Sequence, residues 1–78
     1  MTAEAYVRFQ LAGFSDSGLT QVWNVLMIRH GLESLGEIRW FGRWRQYAFF
    51  PLENTLYSAG CMRDIAEHIE RLMSERKP

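Results

Sequence analysis

Lysine is almost missing from this chain of 78 residues: the first and last one is Lys77. Basic and acidic residues balance at nine each, for a formal net charge of zero. A domain devoted to bulk phosphate binding usually shows a clear basic excess, so the balance argues against that class. Cysteine is scarce too. Cys61 stands alone, which excludes an internal disulfide, leaves an intermolecular bridge as the one redox option and points to a reducing compartment such as the cytoplasm. No stretch of eighteen apolar residues occurs, and Met1 to Glu4 do not open a basic-then-apolar leader. Neither a membrane span nor a signal peptide is expected. The two histidines, His30 and His68, lie far apart and do not complete with Cys61 the three or four ligands a metal site needs. No metal and no cofactor is expected.

What the chain has in quantity is apolar and aromatic surface. At 47 % hydrophobic and 14 % aromatic residues it can bury a compact core, and disorder is excluded. The length predicts a single domain over 1–78, with a frayed charged tail at 75–78. The charges are unevenly placed. Residues 29–50 carry four arginines against two glutamates, while the segments on either side carry a slight acidic excess. The basic excess coincides with the densest aromatic stretch. From Arg39 to Tyr47 there are three arginines, four aromatics and no acid.

Alternation over Ala5 to Leu11 puts Ala5, Val7, Phe9 and Leu11 on one face and Tyr6, Arg8 and Gln10 on the other, predicting a half-buried strand. Gly13 to Gly18 collects Gly, Ser and Asp and reads as a loop. Thr20 to Ile28 is apolar on both alternating faces and predicts a central strand; Arg29 to Ser34 is the next connection. Gly42-Arg43 then predicts a two-residue type II′ turn, which sets Phe41 opposite Trp44, Trp40 opposite Arg45, Ile38 opposite Tyr47 and Leu35 opposite Phe50. One face of this hairpin holds Gly36, Ile38, Trp40, Arg45, Tyr47 and Phe49 and is assigned to the core, with Trp40 stacked on Arg45. The other holds Leu35, Glu37, Arg39, Phe41, Trp44, Gln46, Ala48 and Phe50 and is assigned to solvent or a partner. Pro51 lacks an N–H and ends the strand.

After a linker over Leu52 to Tyr57, Ser58 can cap a helix in which Met62, Ile65, Ala66, Ile69, Leu72 and Met73 make one apolar stripe. His68 falls on the polar side, one turn from Asp64, its expected partner. The stripe needs a sheet to cover. These elements predict an α+β fold of order ββββα: a four-stranded antiparallel sheet with one C-terminal helix packed on one face. The opposite face of that sheet is left open, and the chain is expected to be a monomer or a weak homodimer.

Catalytic chemistry finds little support. Cys61 could serve as a thiolate near a helix N-terminus, but a cysteine opening an apolar stripe is ordinarily a small buried hydrophobe. Ser15, Asp16 and His30 match no triad spacing, and Glu33 and Glu37 lack an apolar pocket. The chain is read as no enzyme. The hairpin remains. Arg39, Phe41, Arg43, Trp44 and Arg45 are the candidate partner-binding residues, since Trp and Arg concentrate binding energy at protein interfaces. Arginines beside aromatics also suit single-stranded nucleic acid, with guanidinium on phosphate and rings under bases. Neutral charge, an acidic helix surface and the lack of lysine favour a protein partner and place nucleic acid second.

Two resemblances attach to the same residues. Gly36-Glu-Ile-Arg-Trp-Phe-Gly with Tyr47-Ala-Phe-Phe-Pro51 is similar to the opening of a cold-shock domain, a nucleic-acid-binding barrel. That likeness covers about sixteen residues and departs where this chain turns to a helix, where Gly42 replaces asparagine and where two strands precede the motif. More of the chain resembles a group of small proteins from phages, prophages and bacterial mobile elements. Its pattern is met by Val22 to Val25, Gly36 to Trp40, Trp44 to Pro51 (Trp-Arg-x-Tyr-x-Phe-Phe-Pro), and Cys61, Met62, Asp64 and Ile65. Compact phage-borne proteins without catalytic motifs resemble anti-CRISPR inhibitors. The resemblance implies a non-enzymatic protein that works in the cytoplasm of a bacterial host, binds a host defence complex and blocks access of DNA to a CRISPR surveillance complex.

Overall fold

The computed structural model describes residues 6–28, 31 and 33–76. Four strands, β1 (Val7–Phe14), β2 (Gln21–Met27), β3 (Glu33–Phe41) and β4 (Gln46–Pro51), are followed by the helix α1 (Ala59–Glu75). The strands form one antiparallel sheet in the order β1-β2-β3-β4. The helix lies across one face, giving the α+β ββββα arrangement expected from the sequence. Overall extents of 36 × 30 × 19 Å are those of two layers.

The core sits between helix and sheet. Val7, Val25, Leu35, Ile38, Tyr47, Cys61, Ile65 and Leu72 are buried, with Phe9, Trp23, Trp40, Phe49 and Ile69 packed against them. Period-two alternation explains the selection, because one row of pairs, Leu11 to Trp23 to Ile38 to Phe49, crosses all four strands on the helix side. Two aromatic polar handles inside this layer find partners. Tyr47 accepts a hydrogen bond from the Gln21 amide at 3.1 Å, and Trp23 donates its indole N–H to Gln21 Oε1 at 2.8 Å.

Several boundaries differ from expectation. β1 continues past Leu11 to Phe14, because the ladder skips Ala12 in a bulge and resumes with Gly13 opposite Val22. Ala5, the expected start of that strand, and His30 lie outside the described residues. The hairpin loop is four residues, 42–45, not two. Phe41 pairs with Gln46, and the amides of Trp44 and Arg45 donate to the carbonyls of Phe41 and Gly42, each at 3.1 Å. The positive φ that a hairpin needs falls on Arg45, at 56°, and Gly42 is not used for it. Trp40 therefore faces Tyr47, not Arg45, and its cation is Arg76, whose guanidinium carbon lies 4.1 Å from the Trp40 ring centroid.

A second bulge corrects the placement of Leu35. The β2–β3 register shifts between Val25 opposite Gly36 and Leu26 opposite Ser34, leaving Leu35 as the extra residue. It turns into the core at 1 % exposure rather than toward solvent. Its carbonyl accepts from the Leu52 amide at 2.9 Å and from the Tyr57 hydroxyl at 3.0 Å, so the linker after β4 is tied to the bulge.

The helix begins as expected, with Ser58 accepting from the Cys61 amide at 3.2 Å. Its buried side is rotated from the predicted stripe. Cys61, Ile65, His68 and Leu72 face the sheet, while Met62 is 55 % exposed and Ala66 is exposed. His68 is thus in the core, not on the polar side. Asp64 accepts from the Tyr6 amide at 2.8 Å instead of pairing with it. Gly60 permits this seat, since a Cβ there would run into the Tyr6 ring. The expected frayed tail is partly replaced: α1 runs through Glu75 and Arg76 packs on Trp40, while Lys77 and Pro78 lie outside the described residues.

Candidate partner-binding face

The sheet face opposite α1 has no covering element among the described residues. Across it runs a row that joins all four strands, Gln10 to Asn24 to Glu37 to Phe50. Toward the β3–β4 turn the face becomes aromatic. Arg39 sits with its guanidinium carbon 3.7 Å from the Phe50 ring centroid, and its Nε lies 3.4 Å from Glu37 Oε1. Phe50 meets Phe41 edge-on at 6.0 Å between centroids, and Phe41 meets Trp44 edge-on at 4.9 Å. Glu37, Arg39, Phe50, Phe41 and Trp44 therefore form one chain of contacts along the face.

Each link has a local cause. Alternation in β3 puts Glu37, Arg39 and Phe41 on the same side, and alternation in β4 adds Ala48 and Phe50. Ala48 lies directly opposite Arg39 and is small, leaving room for the arginine to reach diagonally to Phe50. The loop then folds Trp44 back over Phe41. Trp44 keeps 63 % of its surface exposed, an indole held on one side and open on the other.

Of the five residues expected from sequence, the structure brings together Arg39, Phe41 and Trp44. Arg43 and Arg45 stand on the loop, exposed, and among the described residues neither has an ion-pair partner. Arg45 projects from the left-handed position of the turn rather than lying under Trp40. Phe50 and Glu37 were missed as site residues, although alternation placed both on this face. The signal that singles them out is the register: with a four-residue loop, Glu37 and Phe50 are direct cross-strand partners.

Arginine outnumbers acid on this side. Arg8, Arg39, Arg43 and Arg45 are opposed by Glu37 on the face and turn, whereas α1 carries Asp64, Glu67, Glu70 and Glu75 against Arg63 and Arg71. With Arg76, which packs on Trp40, the helix side comes close to balance, so the arginine excess of this neutral chain lies on the open face and turn. No group of three or more His, Cys, Asp or Glu side chains gathers to hold a metal among the described residues. Cys61 is buried and free, which fits its reading as a small apolar residue. Among the described residues no helix is long and apolar enough to cross a membrane.

No family model matches the chain, and no solved structure matches it. Over 49 residues it is 37 % identical to an uncharacterized 9.3 kDa protein of Acholeplasma phage L2, a match covering 63 % of each chain. The chain thus spans less than two thirds of that protein's length. The likeness to small phage proteins read from the sequence holds at this level: the chain is similar to a small protein encoded by a phage.

Proposed function

We propose that this is a phage-type accessory protein that acts without enzymatic chemistry, by binding a host protein complex through the open face of its sheet. The target class is host defence machinery such as a CRISPR surveillance complex, with access of DNA blocked. The observation that carries the reading is the linked cluster of Arg39, Phe50, Phe41 and Trp44 on an uncovered face, ending in an indole that is mostly exposed. Trp, Tyr and Arg supply most of the binding energy at protein interfaces, and two of those types stand here already ordered by their neighbours. Arg43 and Arg45, without an ion-pair partner among the described residues, suit carboxylates on the partner.

The test is a plasmid-interference assay in a host carrying a CRISPR system, with wild type and an Arg43→Glu, Trp44→Ala variant expressed to equal levels. Inhibition by wild type and its loss in the folded variant are expected. Inhibition that survives the double substitution would sink the assignment of the surface, and no inhibition by wild type would sink the target class.

A second reading, binding of single-stranded nucleic acid, is favoured by the arginine excess on the same side. Titration of labelled single-stranded DNA and RNA at low and moderate salt separates it: affinity falling steeply with salt supports it, and no binding at low salt ends it.

A further inference from the structure

Helix α1 carries two adjacent apolar stripes with one spacing. Cys61, Ile65, His68 and Leu72 face the sheet and are buried. One residue further on, Met62, Ala66, Ile69 and Met73 repeat the same intervals of four, three and four, the seam by which helices pack on one another. The middle of this second stripe borders β4, an edge of the sheet. Trp44, Ala48, Phe49, Ala66 and Ile69 contribute to a groove of about 410 Å³ there. Among the described residues no strand pairs with β4 on that side. The Tyr47 N–H points away from β3 and, among the described residues, meets only the thioether of Met73, at 3.4 Å. Alternation aims the Phe49 N–H the same way, while Pro51 has none to aim.

We propose that this edge is a homodimer interface, in which two copies join β4 to β4 antiparallel about a two-fold axis at Phe49 and continue one sheet through both. In that register the two Phe49 residues exchange backbone hydrogen bonds. Each Tyr47 N–H meets the carbonyl of Pro51 in the second copy, a far better acceptor than a thioether sulfur, and the proline leaves no N–H to be stranded. The Arg45 turn of each copy comes alongside Glu53 of the other, so opposite charges meet on both sides of the axis. A two-fold normal to the sheet keeps both helices on one face and turns Ala66 and Ile69 of the two copies toward each other. The same edge left bare is a template for uncontrolled strand pairing. Closure by a second copy removes it.

Sedimentation equilibrium and amide hydrogen exchange test the proposal together. The wild type is expected to sediment at twice its 9.2 kDa chain mass, with the Phe49 amide protected at high protein concentration and exchanging freely on dilution. Ala66→Glu, at a position exposed in the single chain, is expected to sediment as a monomer with an unchanged far-ultraviolet spectrum. Glu53→Arg is expected to weaken the dimer, and Glu53→Arg with Arg45→Glu to restore it. A wild type that stays monomeric at about 200 µM, well above the micromolar range of weak specific association, would overturn the proposal. So would a dimer in which the Phe49 amide exchanges freely, or one that Ala66→Glu and Glu53→Arg both leave intact.

Discussion

The imidazole of His68 lies flat on the ring of Phe9, with centroids 4.1 Å apart and planes 3° from parallel. Trp23 meets the same imidazole edge-on at 4.7 Å, and His68 Nε2, fully buried, has no hydrogen-bond partner. A histidine is used here as an aromatic filler between helix and sheet. Burial pushes its pKa below the ordinary value of 6.5, Arg71 adds to the depression, and Glu75 opposes it.

Stability should therefore fall in acid. The unfolded chain takes up a proton on His68 near pH 6.5, while the folded chain resists it, so the neutral core contributes fully above that pH and loses ground as pH drops below it. Urea melts of wild type at pH 7.5 and 5.5 should show a lower midpoint at 5.5. His68→Phe keeps the stacking without the titration and should narrow that gap. An equal gap in both proteins would assign it to other groups.

Gly36→Ala should be severe. Gly36 has φ +147°, and a Cβ there would lie 2.8 Å from Pro51 Cα and nearer still to the Phe50 carbonyl. Backbone cannot yield as a side chain tip can, so a loss of about 2 kcal/mol or more is expected, read as a lowered urea midpoint. An unchanged midpoint would mean that the Leu35 bulge relaxes freely.

Ser58→Ala removes the acceptor for the Cys61 amide at the start of α1. The expected cost is about 1 kcal/mol, and Ser58→Asp should recover most of it. Equilibrium denaturation followed by helical circular dichroism provides the measurement.

Trp44→Ala separates folding from binding. The side chain is 63 % exposed, so stability should move by no more than about 0.5 kcal/mol, while inhibition of the host complex should be lost. A large loss of stability would make Trp44 a structural cover for Phe41 rather than a contact residue.

How far the sequence could be read depended on parity. The loop between β3 and β4 is two residues longer than the turn expected at Gly42-Arg43, and an even slip moves every pair without turning any side chain over. Ile38, Tyr47 and Phe49 therefore stayed on the core face, and Arg39, Phe41 and Phe50 on the open one. What parity could not reveal was Leu35, because a bulge adds one residue and reverses the face of whatever it displaces. The loop itself was illegible for another reason: its left-handed residue is Arg45, a type that seldom takes that conformation, while a glycine stood nearby to suggest otherwise. His68 was misplaced because residue type was read as polarity, whereas its neighbours Phe9 and Trp23 accept the ring for its flat apolar faces.

The unbroken strand order has a consequence for how quickly the molecule assembles. Each strand pairs with the one just before it in the chain, so the sheet closes through short loops whose entropic cost is small. Among the described residues, the side-chain hydrogen bond of longest sequence separation is the one between Tyr6 and Asp64, 58 residues apart. Such a chain can complete its sheet hairpin by hairpin and seat the helix last, which places it toward the fast end for β-rich domains of its size.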